Sequence, residues 1–383
     1  MLNKIIQLSV IGIFSLLFVT TTQAQPFFEL NDVSILFPIP EKLDQEGLLK
    51  AQDFLPLPLV KKFPRFLMQY KQDDTFEAMR AVSLRLDPHT YHLRTVWQPL
   101  MKGPQGKVRA MDVAFHSFHQ LSELEFKQLI VGLRLWKNQH APNIQGLPLQ
   151  IHPAMINAFS ENVAAPRDHQ ALSALLQTVI PYMQNQKLIK LTAMVLRGAD
   201  DMWAFMGVKV IDASKGLVEP LIVARTPQMQ AQSFINSAVP FDSYEMAQVS
   251  GVASTEPFNL LNLISKVSGQ RPLTESEIRD SLKTTYQLEN PKLFKEDDMD
   301  CVHCHISQGA QAYLKNNFAQ EIKDQIFTNE YQNKKYNLQN MSRDKFNTRQ
   351  IRGFGYFEDG PAISQRVIHD SAEAADYINQ FFK

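Results

Sequence analysis

The sequence has very little cysteine: Cys301 and Cys304 are its only two thiols in 383 residues. A zinc site built from three or four thiolates is therefore excluded. A chain of this length can bury a large core without disulfides. The question that remains is what role the one closely spaced pair of thiols has.

An excess of charge of one sign is also missing, because 39 basic residues balance 39 acidic ones. No basic stripe with interleaved aromatic residues is present, so we expect no nucleic-acid partner. The chain likewise has no Ser-His-Asp order, phosphate-binding loop, glycine-rich nucleotide fingerprint, internal repeat or low-complexity tract. These patterns remove the commonest hydrolase and nucleotide-binding classes.

Long apolar runs are absent except at the N-terminus, where Lys4 precedes an apolar stretch over residues 5–19. The small residues of Thr22-Gln23-Ala24 then match a peptidase site, which predicts a cleaved signal peptide over residues 1–24. An uncleaved anchor is the alternative, but the run is short and no basic segment follows it. We expect a periplasmic protein without a stable membrane span after cleavage.

The two thiols belong to the stretch Cys301-Val302-His303-Cys304-His305. Cysteines three positions apart lie on one side of a helical turn, and a histidine follows at once. The thiols would form thioethers with the two haem vinyl groups, and the His305 imidazole would be the proximal ligand of the iron. The motif predicts one covalently attached haem c per chain.

A zinc site, a redox pair and a plain disulfide account for the two thiols less well than haem does. A zinc site needs a second pair of ligands at comparable spacing. A thioredoxin-like redox pair needs a strand before it and a helix that opens at the first cysteine, whereas the acidic run 296–300 precedes Cys301. A plain disulfide or two idle thiols in an exported protein is the remaining alternative.

The motif, the segment after it and the last helix resemble a class I single-haem cytochrome c domain, over about the final third of the chain. In that family the chain runs from the haem-attachment helix, through a loop that supplies a methionine, to a closing helix packed near the haem. The resemblance implies haem attachment outside the cytoplasm, and it places a closing helix over residues 371–382. The long stretch between Met341 and that helix departs from the family pattern.

The ligand on the other side of the iron decides between functions, since a thioether favours electron transfer and an open position permits ligand binding or peroxide chemistry. Met341 is the only methionine after the motif and lies in a polar stretch, so we expect it to be the distal ligand. His369 is the competing candidate, although exposure near a helix N-terminus is its simpler explanation. His303 is expected to point away from the iron, into solvent or to a hydrogen-bond partner.

Charged side chains near the motif allow two interpretations each. Arg352 and Arg366 can bind haem propionates, and ordinary ion pairs explain them equally well. The acidic run 296–300 can dock a basic redox partner or be solvated.

His116 and His119, with Glu123 and Glu125 nearby, resemble a metal cluster, but strand geometry would turn the two histidines to opposite faces. We expect structural roles for this second group.

The remaining pattern predicts an α+β domain over residues 25–269, with an antiparallel meander and amphipathic helices, and a mainly α cytochrome c-like domain over residues 270–383. Strands are predicted over 92–100, 107–118, 188–196, 202–211 and 217–224, and capped helices from Ser122, Asp168 and Thr274. Further helices are predicted over 258–264 and 309–326, and a tight glycine loop over 352–356.

We therefore expect a one-electron carrier whose partner is a redox protein or a small redox substrate. The alternative is a haem enzyme or ligand sensor with an open distal position. The ligand of residues 25–269 and the oligomeric state are not predicted.

Overall fold

The computed structural model describes residues 27–63, 72–197, 202–226, 228–236, 246–250, 260, 273–323, 328–339 and 353–381. Its centre is an antiparallel ten-stranded sheet formed by described residues. The strands are β1 Ser34–Leu36, β2 Met79–Asp87, β3 His92–Lys102, β4 Val108–Ala110, β5 Val113–Gln120, β6 Leu188–Arg197, β7 Met202–Asp212, β8 Leu217–Pro220, β9 Ala231–Asn236 and β10 Met246–Ser250.

Helices lie before, between and after these strands. They are α1 Leu30–Val33, α2 Leu57–Val60, α3 Gln72–Glu77, α4 Glu123–His140, α5 Ala165–Val179, α6 Glu275–Leu288, α7 Cys301–Asn317, α8 Ala319–Ile322 and α9 Gln365–Gln380. A separate hairpin, β11 Phe354–Phe357 and β12 Gly360–Ile363, precedes α9.

The strand order is β1-β2-β3-β5-β6-β7-β9-β10, with β4 paired to β3 and β8 paired to β7, and all neighbours are antiparallel. This confirms the predicted α+β composition with an antiparallel sheet and several helices. The structure does not confirm a cytochrome c-like C-terminal domain.

Alternate residues of the central strands enter two different cores, as strand geometry requires. Phe115 and Leu191 belong to the core that contains α4 and α5, whereas Met194 and Phe205 belong to the core that contains α6 and α7. The helix that carries Cys301 and Cys304 therefore packs on one face of the sheet. The closing helix α9 contributes Ile378 and its neighbours to the first core, together with residues from the beginning of the chain.

Local sequence signals explain the helix starts that were predicted correctly. The Ser122 hydroxyl accepts from the Glu125 backbone N–H at 3.3 Å, and the Glu125 carboxylate accepts from the Ser122 N–H at 2.9 Å. Thr274 and Glu277 form the same reciprocal pair at the start of α6, at 3.3 and 2.9 Å. Both capping boxes satisfy backbone donors that the first helical turn leaves without intrahelical partners.

Two predicted boundaries in the first part of the chain are wrong. Asp168 is not a cap: α5 begins at Ala165, and the Asp168 carboxylate is buried, where it accepts from the Asn157 backbone and side chain at 3.0 and 2.9 Å. The strand predicted over 107–118 is divided into β4 and β5, and Ala110, the last residue of β4, also forms a bridge with Glu358.

Three predicted elements near the C-terminus also differ. The helix predicted over 309–326 begins at Cys301 and ends at Asn317, and the closing helix begins at Gln365 with Ser364 as its cap. The predicted glycine loop over 352–356 is strand β11 from Phe354 onward. Gly355 is needed there because a Cβ would lie 2.5 Å from Gln98 Oε1.

Some predictions fall on residues that the structure does not describe. These are the signal peptide over 1–24, Met341, Arg352 and the boundary near 268–269. Of the helix predicted over 258–264, only Leu260 is described, and it is helical.

Gln98 joins hairpin β11–β12 to the sheet, since its amide donates to Tyr356 O at 3.0 Å and its carbonyl accepts from Tyr356 N at 2.7 Å. We expect Gln98→Leu to lower the free energy of unfolding by about 2 to 4 kcal/mol, because it leaves buried backbone groups without partners. Urea unfolding measures this loss. Gln128→Leu, at an exposed position of α4, is the matched control, and an equal effect of both substitutions would contradict the assignment.

Candidate functional site

The helix that carries the motif is capped by Asp300, immediately before Cys301. One Asp300 carboxylate oxygen accepts from the His303 backbone at 3.0 Å and from the Gln232 amide at 3.1 Å, and the other contacts His303 Nδ1 at 2.6 Å. Gln232 in turn accepts from the Val302 N–H at 3.1 Å. Strand β9 thereby holds the first turn of α7 in place.

The helix does open at the first cysteine, so one of the two features expected of a thioredoxin-like pair is present. The other is absent, since a short 3-10 turn over Glu296–Asp298 precedes the motif where such a pair needs a strand.

Cys301, Cys304 and His305 line one cavity of about 390 Å³ between α7 and the sheet. The His305 ring lies 4.8 Å from the Phe205 ring on β7, measured between centroids, with 34° between the ring planes. The structure thus brings together the three side chains that the sequence predicts as the haem site.

The opposite wall of the cavity comes from the sheet and from the loops beside it. Its apolar part includes Val96, Phe118, Met194, Phe205, Leu221 and Val223. Its polar part includes Arg85, Arg94, His116, Lys190 and Thr192. The volume is within the range of small-molecule sites, and an apolar lining with a few polar groups is typical of them.

A cluster of ion pairs closes one side of this cavity. The Glu296 carboxylate bridges Arg85 at 2.7 Å and Arg94 at 2.5 Å, two residues that are directly opposite each other on β2 and β3. Arg85 also pairs with Asp370 at 3.0 Å. Burial disfavours the ionised Glu296, but the two guanidiniums outweigh burial and hold the pKa of its carboxyl below its usual range.

The acidic run 296–300 is therefore engaged within the chain. Asp297 pairs with Lys190 at 2.7 Å, and the Asp298 carbonyl accepts from Arg225 Nε at 2.5 Å. Together with Glu296 and Asp300, these contacts attach the run to strands and loops of the first part of the chain. Neither simple solvation nor docking of a basic partner describes its main role in this structure.

Two histidines near the motif are more buried than the sequence predicts. His303 is fully buried against Asp300, which makes it a hydrogen-bond partner and not a solvated residue. His369 is also buried and outside the cavity: its Nδ1 contacts the Glu289 carbonyl at 2.7 Å and its Nε2 contacts the Gln365 amide at 2.9 Å. Burial lowers the pKa of His369 to about 4.

Arg366 reaches the cavity, but its donors are already used. They bind Asp370 at 2.8 Å and the Leu288 and Phe294 carbonyls at 2.6 Å each. This arrangement favours a structural role over binding of a propionate. Arg352 and Met341 lie outside the described residues.

His116 lines the cavity. His119 is directly opposite Leu93 of β3, a residue of the first core, so the two histidines lie on opposite faces of the sheet, as strand geometry predicts. Glu125 binds Ser122 and Lys187. The sequence did not predict that His116 lines the same cavity as His305. Strand alternation places Arg94 and His116 on one face, but only the packing of α7 shows that this face covers the motif.

Among the described residues, no group of three or more His, Cys, Asp or Glu side chains converges to hold a metal ion. In the same part of the chain, no helix combines the length and apolarity that crossing a bilayer requires.

Comparison with protein-family models, with curated proteins and with solved structures found no match for this chain.

Burial raises the pKa of both motif thiols to about 12, and the nearby Asp300 carboxylate adds to the effect at Cys301. At about pH 8 a thiol with this pKa is roughly one ten-thousandth thiolate, whereas an ordinary thiol near pKa 8.5 is about one quarter thiolate. This is opposite to the low pKa of reactive redox cysteines.

We expect iodoacetamide to alkylate the thiols of the haem-free folded chain at least about 100-fold more slowly at pH 8 than those of the chain unfolded in urea. The rate in the folded chain should keep rising with pH above about 9, where an ordinary thiol levels off. Mass spectrometry measures both rates. Equal rates in the folded and unfolded chains would show that the fold does not hold the thiols protonated.

Proposed function

We propose that this protein is an exported single-haem c-type cytochrome that carries out one-electron transfer in the periplasm. The observation that carries the proposal is the convergence of Cys301, Cys304 and His305 on one largely apolar cavity. Thioether formation needs two thiols at this spacing, and the adjacent imidazole is suited to bind the iron. The proposal includes a cytochrome c-like role for residues 270–383.

The residues of the chain have separate tasks in this proposal. Cys301 and Cys304 anchor the cofactor and fix its rotation, and His305 binds one side of the iron. Phe205 packs on the His305 ring and limits its orientation. The sheet wall excludes water, which is one of the factors that set the reduction potential. Bound haem supplies the one-electron exchange between ferrous and ferric iron.

Residues 25–269 would then contribute directly to the haem environment, since their strands form the opposite wall of the cavity. We propose that the same part of the chain contacts a redox protein or a small redox substrate.

A second candidate function is a haem enzyme or ligand sensor with an open distal position. Arg94 and His116 favour it, because they place a cation and an imidazole on the cavity wall that faces the motif. Polar donors in such a position assist ligand binding more than they assist simple electron transfer.

Haem attachment is the first test of both candidates. We expect the full chain, exported together with haem-maturation machinery, to give a positive pyridine haemochrome and a mass increased by one haem. Cys301→Ser should leave one vinyl group unreacted and shift the haemochrome α-band to longer wavelength, and loss of both thiols should abolish covalent attachment. Ser276→Ala, at an exposed position of α6 outside the cavity, is the control that should keep full attachment. A colourless wild-type protein with no added mass would refute the proposal.

The identity of the distal ligand separates the two candidates. If the protein is an electron carrier with Met341 on the iron, we expect a ferric methionine-to-iron charge-transfer band that disappears in Met341→Ala. If the distal position is open, we expect rapid binding of carbon monoxide by the ferrous protein and no such band. A haem with a purely structural role would show no electron exchange with soluble cytochromes on a catalytic timescale.

A further inference from the structure

Helix α4 presents an apolar ridge to solvent. Leu124, Val131 and Leu135 are 67, 49 and 64 % exposed, and their spacing of seven and four residues puts them on one side of the helix. The polar residues nearest the ridge, Gln128 and Asn138, are exposed and uncharged. Single exposed apolar side chains are ordinary, but three in one line form a continuous apolar surface, which is typical of a docking site.

Cations that cover aromatic rings flank this ridge. Lys127 Nζ lies 5.8 Å from the centre of the Phe381 ring, and Arg134 Cζ lies 4.8 Å from the centre of the Phe27 ring. Phe381 is itself 38 % exposed. The ridge and this flank together form the α4 face. Its mixture of apolar, aromatic and basic side chains is typical of surfaces that lie at the boundary between water and lipid.

The charges of the α4 face are positive in balance. Glu123 pairs with Lys127 at 2.6 Å, and Glu125, on the neighbouring side of the helix, pairs with Lys187. Arg134 therefore gives this set of five residues a net positive charge. A positive face with an apolar ridge is complementary to an anionic lipid surface, which attracts cations and accepts apolar side chains.

The described chain begins on the same face. Phe27 is the ring that Arg134 covers, and its carbonyl accepts from the Lys137 ammonium at 2.6 Å. Only residues 20–26 separate Phe27 from the apolar run over residues 5–19, and a segment of that length reaches at most about 25 Å. A membrane that receives this run during export is then within about 25 Å of the α4 face. Cleavage after Ala24 leaves a new positive amino group two residues before Phe27.

A second copy of this chain fits the α4 face less well than lipid does. With 18 residues, α4 is about 27 Å long, and its ridge is convex. A stable dimer buries about 800 Å² on each partner between complementary surfaces. Two convex ridges of three apolar side chains each do not supply such a contact, whereas a fluid lipid surface adapts to a ridge.

We propose that the α4 face docks on an anionic lipid surface. Leu124, Val131 and Leu135 enter the boundary between headgroups and acyl chains, and Arg134 contacts the phosphates of the headgroups. The association is peripheral and does not require a membrane span. It does not depend on haem either, so the experiment below and the haemochrome test succeed or fail independently.

Co-sedimentation of the exported protein with vesicles of phosphatidylcholine and phosphatidylglycerol tests the docking. Leu124→Gln/Leu135→Gln should lower the partition coefficient at least about 10-fold, because two apolar side chains no longer enter lipid, and glutamine preserves the helix. Arg134→Gln should lower it about 5-fold at low salt, and Arg134→Lys should restore it. The matched control is Ile211→Gln/Leu217→Gln on the hairpin of β7 and β8, where the two residues are 47 and 53 % exposed. It should leave the coefficient unchanged.

Urea unfolding midpoints equal to that of the wild type show that the variants are folded. A wild-type protein that binds no vesicles would overturn the proposal, and so would equal losses in the α4 variant and the hairpin control. Light scattering identifies the other occupant: a dimer that dissociates in Leu124→Gln/Leu135→Gln, without vesicle binding by the wild type, would assign the α4 face to a second copy.

Discussion

The shared carboxylate of Glu296 is the interaction on which the candidate site depends. Arg85 and Arg94 are like charges directly opposite each other on neighbouring strands, an arrangement that is unfavourable by itself. Glu296 joins them from a loop about 200 residues later in the chain, with one oxygen on each guanidinium. The same contact fixes the turn before the motif helix, whose own first turn is held by Asp300 and by Gln232 on β9. The electrostatics of the strands and the position of the segment that leads into the cysteines therefore have one common cause.

The sheet has a different partner on each face, and this explains why two cores exist. One face of the central strands is covered by α4 and α5, which follow familiar amphipathic patterns. The other face carries arginine, lysine, histidine and threonine among its apolar residues. Such residues normally indicate a solvent-exposed face. Here they line a cavity, which is a common reason for polar side chains to be buried on a sheet.

Local features were predictable from the sequence, and long-range ones were not. The capping boxes at Ser122 and Thr274 and strands β3, β6 and β7 were recognised because their signals lie within a few neighbouring residues. The motif indicated three candidate site residues for the same reason, and all three line one cavity. Arg94, His116 and Gln232 could not be assigned to the site, because their roles follow from the docking of α7 on strands distant in sequence. Asp168 was misassigned as a cap because its carboxylate binds Asn157, and the start of α9 was missed although Ser364 caps it locally.

The attachment of residues 296–300 to β2, β3 and β6 has a consequence for the order of events during maturation. The cavity wall consists of segments that meet only when contacts over long sequence distances have formed, and such contacts form slowly. Docking of Glu296 leaves the two sulfur atoms only partly exposed, on the wall of the cavity. If haem is attached as proposed, an enzyme would reach them most readily before this loop docks, and the slow assembly of the sheet would set the time available.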